Sequence, residues 1–302
     1  MESSKSPLPL VSVAVVTYNQ KNFISECLES IIAQDYQNKE LIIADDGSTD
    51  GTQEIIIKYA ERYPNLIKLA LSKKNRGITK NSNKANFACV GKYISWMGGD
   101  DIMLPGKLST QIEYMEENSK CVISYHNMEV FNSINGVILG YFNNKNNSFE
   151  GEFQDVVDKG TFNCASSCIV RKSQTPLHGF DERIPYASDW LYWMQTLLKG
   201  GEIHYIDRVL GKYRRHENNI TNSNFQRECI LDHLNSCNIL MMNSVQHSNK
   251  IMFRYTETLR SMRIYDHENY FYWTKLGGIG TLNIRSIISF LVSLLTLHKI
   301  KI

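Results

Sequence analysis

Two acidic pairs dominate the chemistry this sequence could do. Asp45-Asp46 follows the apolar run Leu41–Ala44, and Asp100-Asp101 lies just beyond Tyr93–Met97, so each pair falls where a short strand ends. A carboxylate in such a place can accept hydrogen bonds from a base or a ribose, or hold a hard divalent cation that bridges diphosphate oxygens. Thr17-Tyr18-Asn19 closes a third apolar run, Leu10–Val16, on the same predicted edge. Alone, Asp46-Gly47-Ser48 is a strand-to-helix turn with an aspartate cap. Two acidic pairs and a Thr-Tyr-Asn on one edge favour a ligand rim instead. Farther along, Asp189 precedes Trp190, Trp193, Met194 and Leu197, an apolar stripe at helical spacing, and reads either as a helix cap or as a carboxylate mounted on a rigid helix start. Arg214-Arg215-His216, taken by itself, is a solvated charge cluster.

The elements that must position these groups alternate. Leu10–Val16 reads as a buried parallel strand, and Phe23, Ile24, Cys27, Leu28, Ile31 and Ile32 then recur at helical spacing. Leu41–Ala44, Ile67–Leu71 and Tyr93–Met97 are further strands. The helices between them carry Ile56, Tyr59, Ala60 and Tyr63, capped near Asp50 or Thr52, and then span about 79–90. This order predicts an α/β fold, a Rossmann-like, mostly parallel sheet with right-handed crossovers and flanking helices. Ligands of such sheets bind beyond the carboxyl ends of the strands. After Asp101 come a helix around Leu108–Glu117, strand-like Val122–Tyr125 and Val137–Tyr141, an Asn-rich surface turn at Asn143–Ser148, and strand-like Ser167–Arg171 and Val209–Tyr213 around the tryptophan helix. From about 225 the chain reads helical.

Composition excludes several classes. The 302 residues are 42% hydrophobic and 21% charged, which suits a globular chain with a large core. A net charge of +2 does not support nucleic-acid binding. Seven cysteines match no zinc spacing, since Cys164 and Cys168 lack a second pair, and a reduced cytoplasmic setting is expected. The N-terminus lacks the features of a signal peptide, and no apolar run approaches the roughly 20 residues of a membrane span.

The segments VSVAVVTYNQ (11–20), ADDGSTDGT (44–52), the spaced Asn75, Gly77 and Asn83, GKYISWMGGDD (91–101), GFDERIPYASDWLYWM (179–194) and LGKYRRHENNIT (210–221) resemble, in order, the motifs of inverting family 2 glycosyltransferases of GT-A fold. The resemblance implies a catalytic domain over 1–222, with a nucleotide-sugar half to about 101 and an acceptor half beyond it. It implies that Thr17, Tyr18, Asn19, Asp45, Asp46, Asn75, Gly77 and Asn83 bind the donor together with Asp100, Asp101, Arg214 and His216. Asp100 and His216 would hold Mn²⁺ or Mg²⁺ on the diphosphate, and Asp189 would be the catalytic base. The chain departs from the pattern at Gly98, where the metal motif often starts with an acid. It departs again at Ser82, where many members have Arg (Lys80 or Lys84 could replace that charge), and at Ser188, before the base.

The expected activity is transfer of one sugar from a nucleotide sugar, a UDP-sugar first, to a glycan or polyprenyl-diphosphate-linked acceptor in bacterial O-antigen or capsule synthesis. The rival is a catalytically degenerate nucleotide-sugar-binding scaffold of the same fold. A nucleotidyltransferase or dehydrogenase would need glycines after the first strand, and TYNQKN has none. Tyr186 and Trp190 are candidate acceptor-side stacking groups; His126, His178 and His204 read as structural. Residues 223–302 form a helical extension in which the apolar stretch Ile287–Leu297, within a basic-flanked segment 285–301, either lies in the interface of the inner membrane or packs internally.

Overall fold

The computed structural model describes residues 7–144, 146–217, 219, 225–265, 269, 271–273, 275 and 284–295. Strands β1 (Val11–Thr17), β2 (Lys39–Asp45), β3 (Ile67–Leu71) and β4 (Tyr93–Gly98) alternate with helices α1 (Ile24–Ile32), α2 (Thr52–Arg62) and α3 (Ile78–Ala88). All pairings among these four strands are parallel, in the order β3-β2-β1-β4.

Beyond β4 the pairing becomes mixed. A two-residue strand β5 (Ile102–Met103) leads into α4 (Lys107–Glu117), then β6 (Cys121–Asn132) and β7 (Ile138–Tyr141) form a hairpin. A short helix α5 (Phe153–Val156), β8 (Ile169–Arg171), α6 (Ser188–Leu197) and the long β9 (Glu202–Arg215) complete the sheet, which runs β3-β2-β1-β4-β8-β6-β9-β5 with β7 on the edge of β6. β8 joins the halves by antiparallel pairing to both β4 and β6, while β6 and β9 are parallel. The Val209–Tyr213 run is only the end of β9, because its polar first half (Glu202, His204, Asp207, Arg208) hides the strand period.

Side chains alternate across the sheet and sort into two cores. Val11, Val13, Val15, Leu41, Ile43, Tyr93 and Met97 pack with α1 and α4. Ala14, Ile42, Ile94 and Trp96 pack on the other face with the aromatic residues of α6. The C-terminal helices α7 (Gln226–Asn243) and α8 (Ser248–Tyr265) join this second core through Cys237, Leu240 and Ile251. A last helix α9 (Ile284–Leu295) leaves Ile288, Leu291, Leu294 and Leu295 exposed. The 222–223 boundary and the basic end His298, Lys299 and Lys301 lie outside the described residues. No helix among the described residues is long and apolar enough to cross a membrane.

Candidate active site

The carboxyl ends of β1, β2 and β4 meet on one edge because parallel register sets Thr17 opposite Asp45 and Val16 opposite Gly98. The Asp46 N–H donates to the Thr17 carbonyl (3.1 Å), and the Gly99 N–H to that of Val16 (3.0 Å).

The first acidic pair divides its work. Asp45, wholly buried, accepts the N–H groups of Gly47 (3.1 Å) and Ser48 (2.9 Å) together with the Ser48 hydroxyl and the Gln53 amide, and so shapes the turn. Asp46 accepts the Arg76 (2.9 Å) and Gly77 (2.8 Å) N–H groups at the start of α3. Gly77 also donates to Asn75 Oδ1 (2.9 Å), which ties the Asn75–Gly77 loop to the rim. Burial raises the Asp46 carboxyl above the ordinary range despite those bonds. Asn19 sits at φ 51°, donates to Ser48 Oγ (2.8 Å) and accepts Thr49 N–H (2.9 Å), latching the two loops; Tyr18 beside it is exposed.

The second pair is held by the far half of the chain. Buried Asp101 accepts the Ser166 hydroxyl and the Arg214 N–H (3.0 Å), and Ser166 Oγ accepts the Gly98 N–H (2.9 Å). Burial, with Asp100 adjacent, pushes the Asp101 carboxyl well up. Asp100 Oδ2 pairs with His216 Nε2 (2.8 Å) and accepts from Asn219 Nδ2 (3.3 Å). The Arg214 guanidinium is buried between the rings of Phe23 (4.9 Å) and Phe131 (4.6 Å), donates to the Asp100 carbonyl (2.7 Å) and pairs with Glu26. It braces the backbone of the rim at Asp100. Pairing of Ile102 with Lys212 fixes the same relation through the backbone.

Gly98 has a steric reason. A Cβ there would lie 2.8 Å from Asp100 Oδ1 and 3.3 Å from Asp101 Oδ2, so an acid at 98 requires Asp100 to move. A Cβ on Gly99 would meet Gln20 Oε1 at 2.4 Å and Thr17 Oγ1 at 2.9 Å. Among the described residues neither buried oxygen has a hydrogen-bond partner, a cost that a ligand at the rim would remove. Among the described residues no three His, Cys, Asp or Glu side chains gather as a ready metal cluster. Asp100 and His216 nevertheless offer a carboxylate oxygen and an imidazole nitrogen 2.8 Å apart. Such a pair would fit a divalent cation such as Mn²⁺ or Mg²⁺.

Asp189 stands in the first turn of α6, partly exposed, its Oδ1 accepting the Trp190 N–H (2.8 Å). Burial of the carboxyl raises its pKa. The loop before Asp189 is pinned twice: the Thr79 hydroxyl lies 2.6 Å from the Ile184 carbonyl, and Asp232 of α7 accepts the Tyr186 (2.7 Å) and Ala187 (3.0 Å) N–H groups. Trp190 is 1% exposed and stacks on His233 at 4.1 Å, which removes it as an acceptor platform; Tyr186 remains open. Asn83 spends both ends of its amide on the Phe180 backbone (2.7 and 2.9 Å) and serves as a brace between the halves. Lys84 is turned to the Leu71 carbonyl and Ser72, and Lys80 lies 4.0 Å from Glu182.

Sequence reasoning missed Ser166, Asn219, Asp232 and Glu26. Asn219 was legible three residues after His216 in the matched segment; Glu26 lies on the polar side of the first helix, where nothing marks it as a partner of Arg214, and Ser166 and Asp232 carry no signal of their own.

Residues 12–174, just over half the chain, match the model of the glycosyl transferase family 2. The chain belongs to that family. It is 37% identical to EpsE of Bacillus subtilis over 123 residues, which are 41% of this chain and 44% of EpsE. It is 28% identical over 224 residues, 72% of this chain and 81% of the relative, to WfgD of Escherichia coli, a UDP-Glc:alpha-D-GlcNAc-diphosphoundecaprenol beta-1,3-glucosyltransferase. The family 2 chain thus spans under half of one relative and four-fifths of the other. Its fold matches that of Staphylococcus aureus TarS 1–349 in complex with UDP-GlcNAc, with a TM-score of 0.65 at 19% identity over 87% of this chain and 75% of that one. The architecture is therefore that of GT-A glycosyltransferases.

Proposed function

We propose that this chain is an inverting glycosyltransferase that moves one sugar from a UDP-sugar to a polyprenyl-diphosphate-linked glycan in bacterial surface-polysaccharide synthesis. The observation that carries this is the convergence of Asp46, Asp100, Asp101 and His216 on one sheet edge, with Asp189 on a separate, rigidly pinned helix start. Asp46, with the Asn75–Gly77 loop and Thr17, receives the base and ribose. Mn²⁺ or Mg²⁺ on Asp100 and His216, when bound, offsets charge on the diphosphate.

The remaining steps belong to side chains. Asp189 takes the proton from the acceptor hydroxyl as its oxygen attacks the anomeric carbon, and the bond to the diphosphate breaks with its electron pair leaving on the nucleotide. A single displacement inverts the anomeric centre. A carboxyl whose pKa is raised is the better base, because proton affinity and ionised fraction are closer to balance near neutral pH. Arg214 acts by holding the Asp100 carbonyl and the start of the His216 segment.

The relative WfgD, named for a diphosphoundecaprenol-linked acceptor, supports a lipid-linked acceptor here, and with it work at the inner membrane surface. The exposed apolar residues of α9 fit peripheral attachment there. The test is transfer from UDP-glucose and UDP-GlcNAc to a synthetic polyprenyl-diphosphate sugar, with the product anomer read by NMR. A β-linked product from the α-linked donor supports the proposal. Retention of configuration, or wild-type turnover by Asp189→Asn, contradicts it.

A further inference from the structure

One hairpin beside the site presents an uncharged, apolar surface. Residues 130–144, which hold the turn between β6 and β7, contain no charged side chain in a chain that is 21% charged. Ile134 at the turn is 86% exposed, and Val137, Ile138, Leu139 and Tyr141 are each more than half exposed. Ile138 and Leu139 are successive strand residues, so their side chains point to opposite faces, and both faces are bare. A docked protein covers one face of a strand, whereas lipid surrounds both.

The backbone of the turn is also prepared for a poorly hydrated setting. Asn132 Oδ1 accepts the Ile134 N–H (2.8 Å), and Asn135 Oδ1 accepts the Val137 N–H (3.0 Å). Val137 and Asn132 return bonds from their carbonyls to the N–H groups of Asn132 (2.9 Å) and Gly136 (2.9 Å). Leaving such groups unpaired in an apolar medium is costly, and here side chains of the turn itself satisfy them.

The base of the hairpin belongs to the active site. Phe131 carries the Arg214 guanidinium, and the Ser133 N–H donates to the Arg215 carbonyl (3.0 Å), one residue from His216. A cleft of about 490 Å³ runs from Ile134 to His216; its charged lining is mixed, with Arg215 and Lys21 able to meet lipid phosphates and Asp50 and Glu217 beside them.

We infer that the β6–β7 hairpin is a membrane-docking finger: its apolar residues enter the headgroup–acyl boundary of an anionic phospholipid bilayer and bring the Asp100–His216 rim to a lipid-linked acceptor. This rests on the lipid-linked acceptor of the proposed function. It assigns docking near the site to the hairpin rather than to α9.

The test uses the full chain and sedimentation with phosphatidylcholine vesicles with and without phosphatidylglycerol. Ile138→Glu/Leu139→Glu is compared with Leu177→Glu, a 92% exposed leucine elsewhere, and with Leu291→Glu on α9. The hairpin variant is expected to lose vesicle affinity about tenfold or more, the scale set by withdrawing two apolar side chains from the interface. Leu177→Glu stays at the wild-type value, and the UDP-sugar thermal shift is kept by all three. Hairpin variants that bind vesicles like wild type overturn the inference, whether or not Leu291→Glu is released. So does a wild-type dimer that the hairpin changes convert to monomer with vesicle binding intact, since the face would then join two copies. Wild-type protein that ignores both vesicles overturns it as well, while a retained UDP-sugar shift in that case leaves the glycosyltransferase proposal standing.

Discussion

Replacing Ser166 with alanine removes one hydroxyl that bridges the sheet and the acidic motif. Ser166 is 3% exposed, accepts the Gly98 N–H at 2.9 Å and donates to Asp101, itself 3% exposed. The variant leaves the Gly98 N–H unpaired, a cost of about 1–3 kcal/mol for a buried donor. It also takes a donor from a buried carboxylate, a bond worth about 1.5–3 kcal/mol. The two losses share one atom and are not additive, so about 3 kcal/mol is expected. For a domain of this size that is a fall in Tm of about 6–12 °C. Thermal unfolding measures it, with exposed Ser173→Ala as a comparator that should stay within about 0.5 kcal/mol of wild type. Because Gly98 and Asp101 fix the turn that presents Asp100, the nucleotide-sugar thermal shift should shrink in parallel. A Ser166→Ala protein as stable as Ser173→Ala would refute the bridging role.

Lys107 is fully buried, donates to Ser95 Oγ (2.9 Å) and has its pKa pushed down to about 7 by burial. The unfolded chain keeps that proton to about pH 10, so wild-type stability should climb between about pH 7 and 10 by up to about 1.4 kcal/mol per pH unit. Lys107→Met should flatten that climb in denaturant titrations at several pH values; an unchanged slope would contradict the buried-lysine account. Asp232→Ala frees the Tyr186 and Ala187 N–H groups, and kcat should fall about tenfold with little change in donor KM, since only the base is displaced. Equal losses in both parameters would place Asp232 in donor binding instead. Asp189 has a raised carboxyl, so folding disfavours its ionised form, and its contribution to stability is full below the ordinary aspartate pKa and lost as pH rises through the raised value. Asp189→Asn should therefore gain stability on wild type as pH rises, while the wild-type rate should increase through a pKa above the usual aspartate range. A pH-independent stability difference would contradict the burial of that carboxylate.

Much of the first half, up to Asp101, was legible because its signals are local. β-branched runs separated by helical spacing dictate parallel strands, and parallel register then forces Thr17, Asp45 and Gly98 onto one edge. The part beyond Asp101 was less legible because its elements are held by distant partners. β5 is two residues long and exists only through β9, and the polar first half of β9 masks a strand supported by β6. Trp190 illustrates the limit: an aromatic beside the proposed catalytic carboxylate suits sugar stacking, and only the position of His233 on α7 shows that its face is already covered. Arg214 is a similar case, since Phe23, Phe131 and Glu26 are far from it in sequence and together bury its charge.

The central claim is that the Asp46–Asp100–His216 rim handles a nucleotide sugar through a divalent cation. The most direct measurement is nucleotide release from a panel of UDP-, GDP- and dTDP-sugars with Mn²⁺, with Asp100→Ala alongside. The account predicts slow hydrolysis of one donor, a UDP-sugar, that EDTA stops and Asp100→Ala lowers by about 10²-fold or more. Release at the wild-type rate by Asp100→Ala would contradict it, as would no release and no thermal shift with any donor.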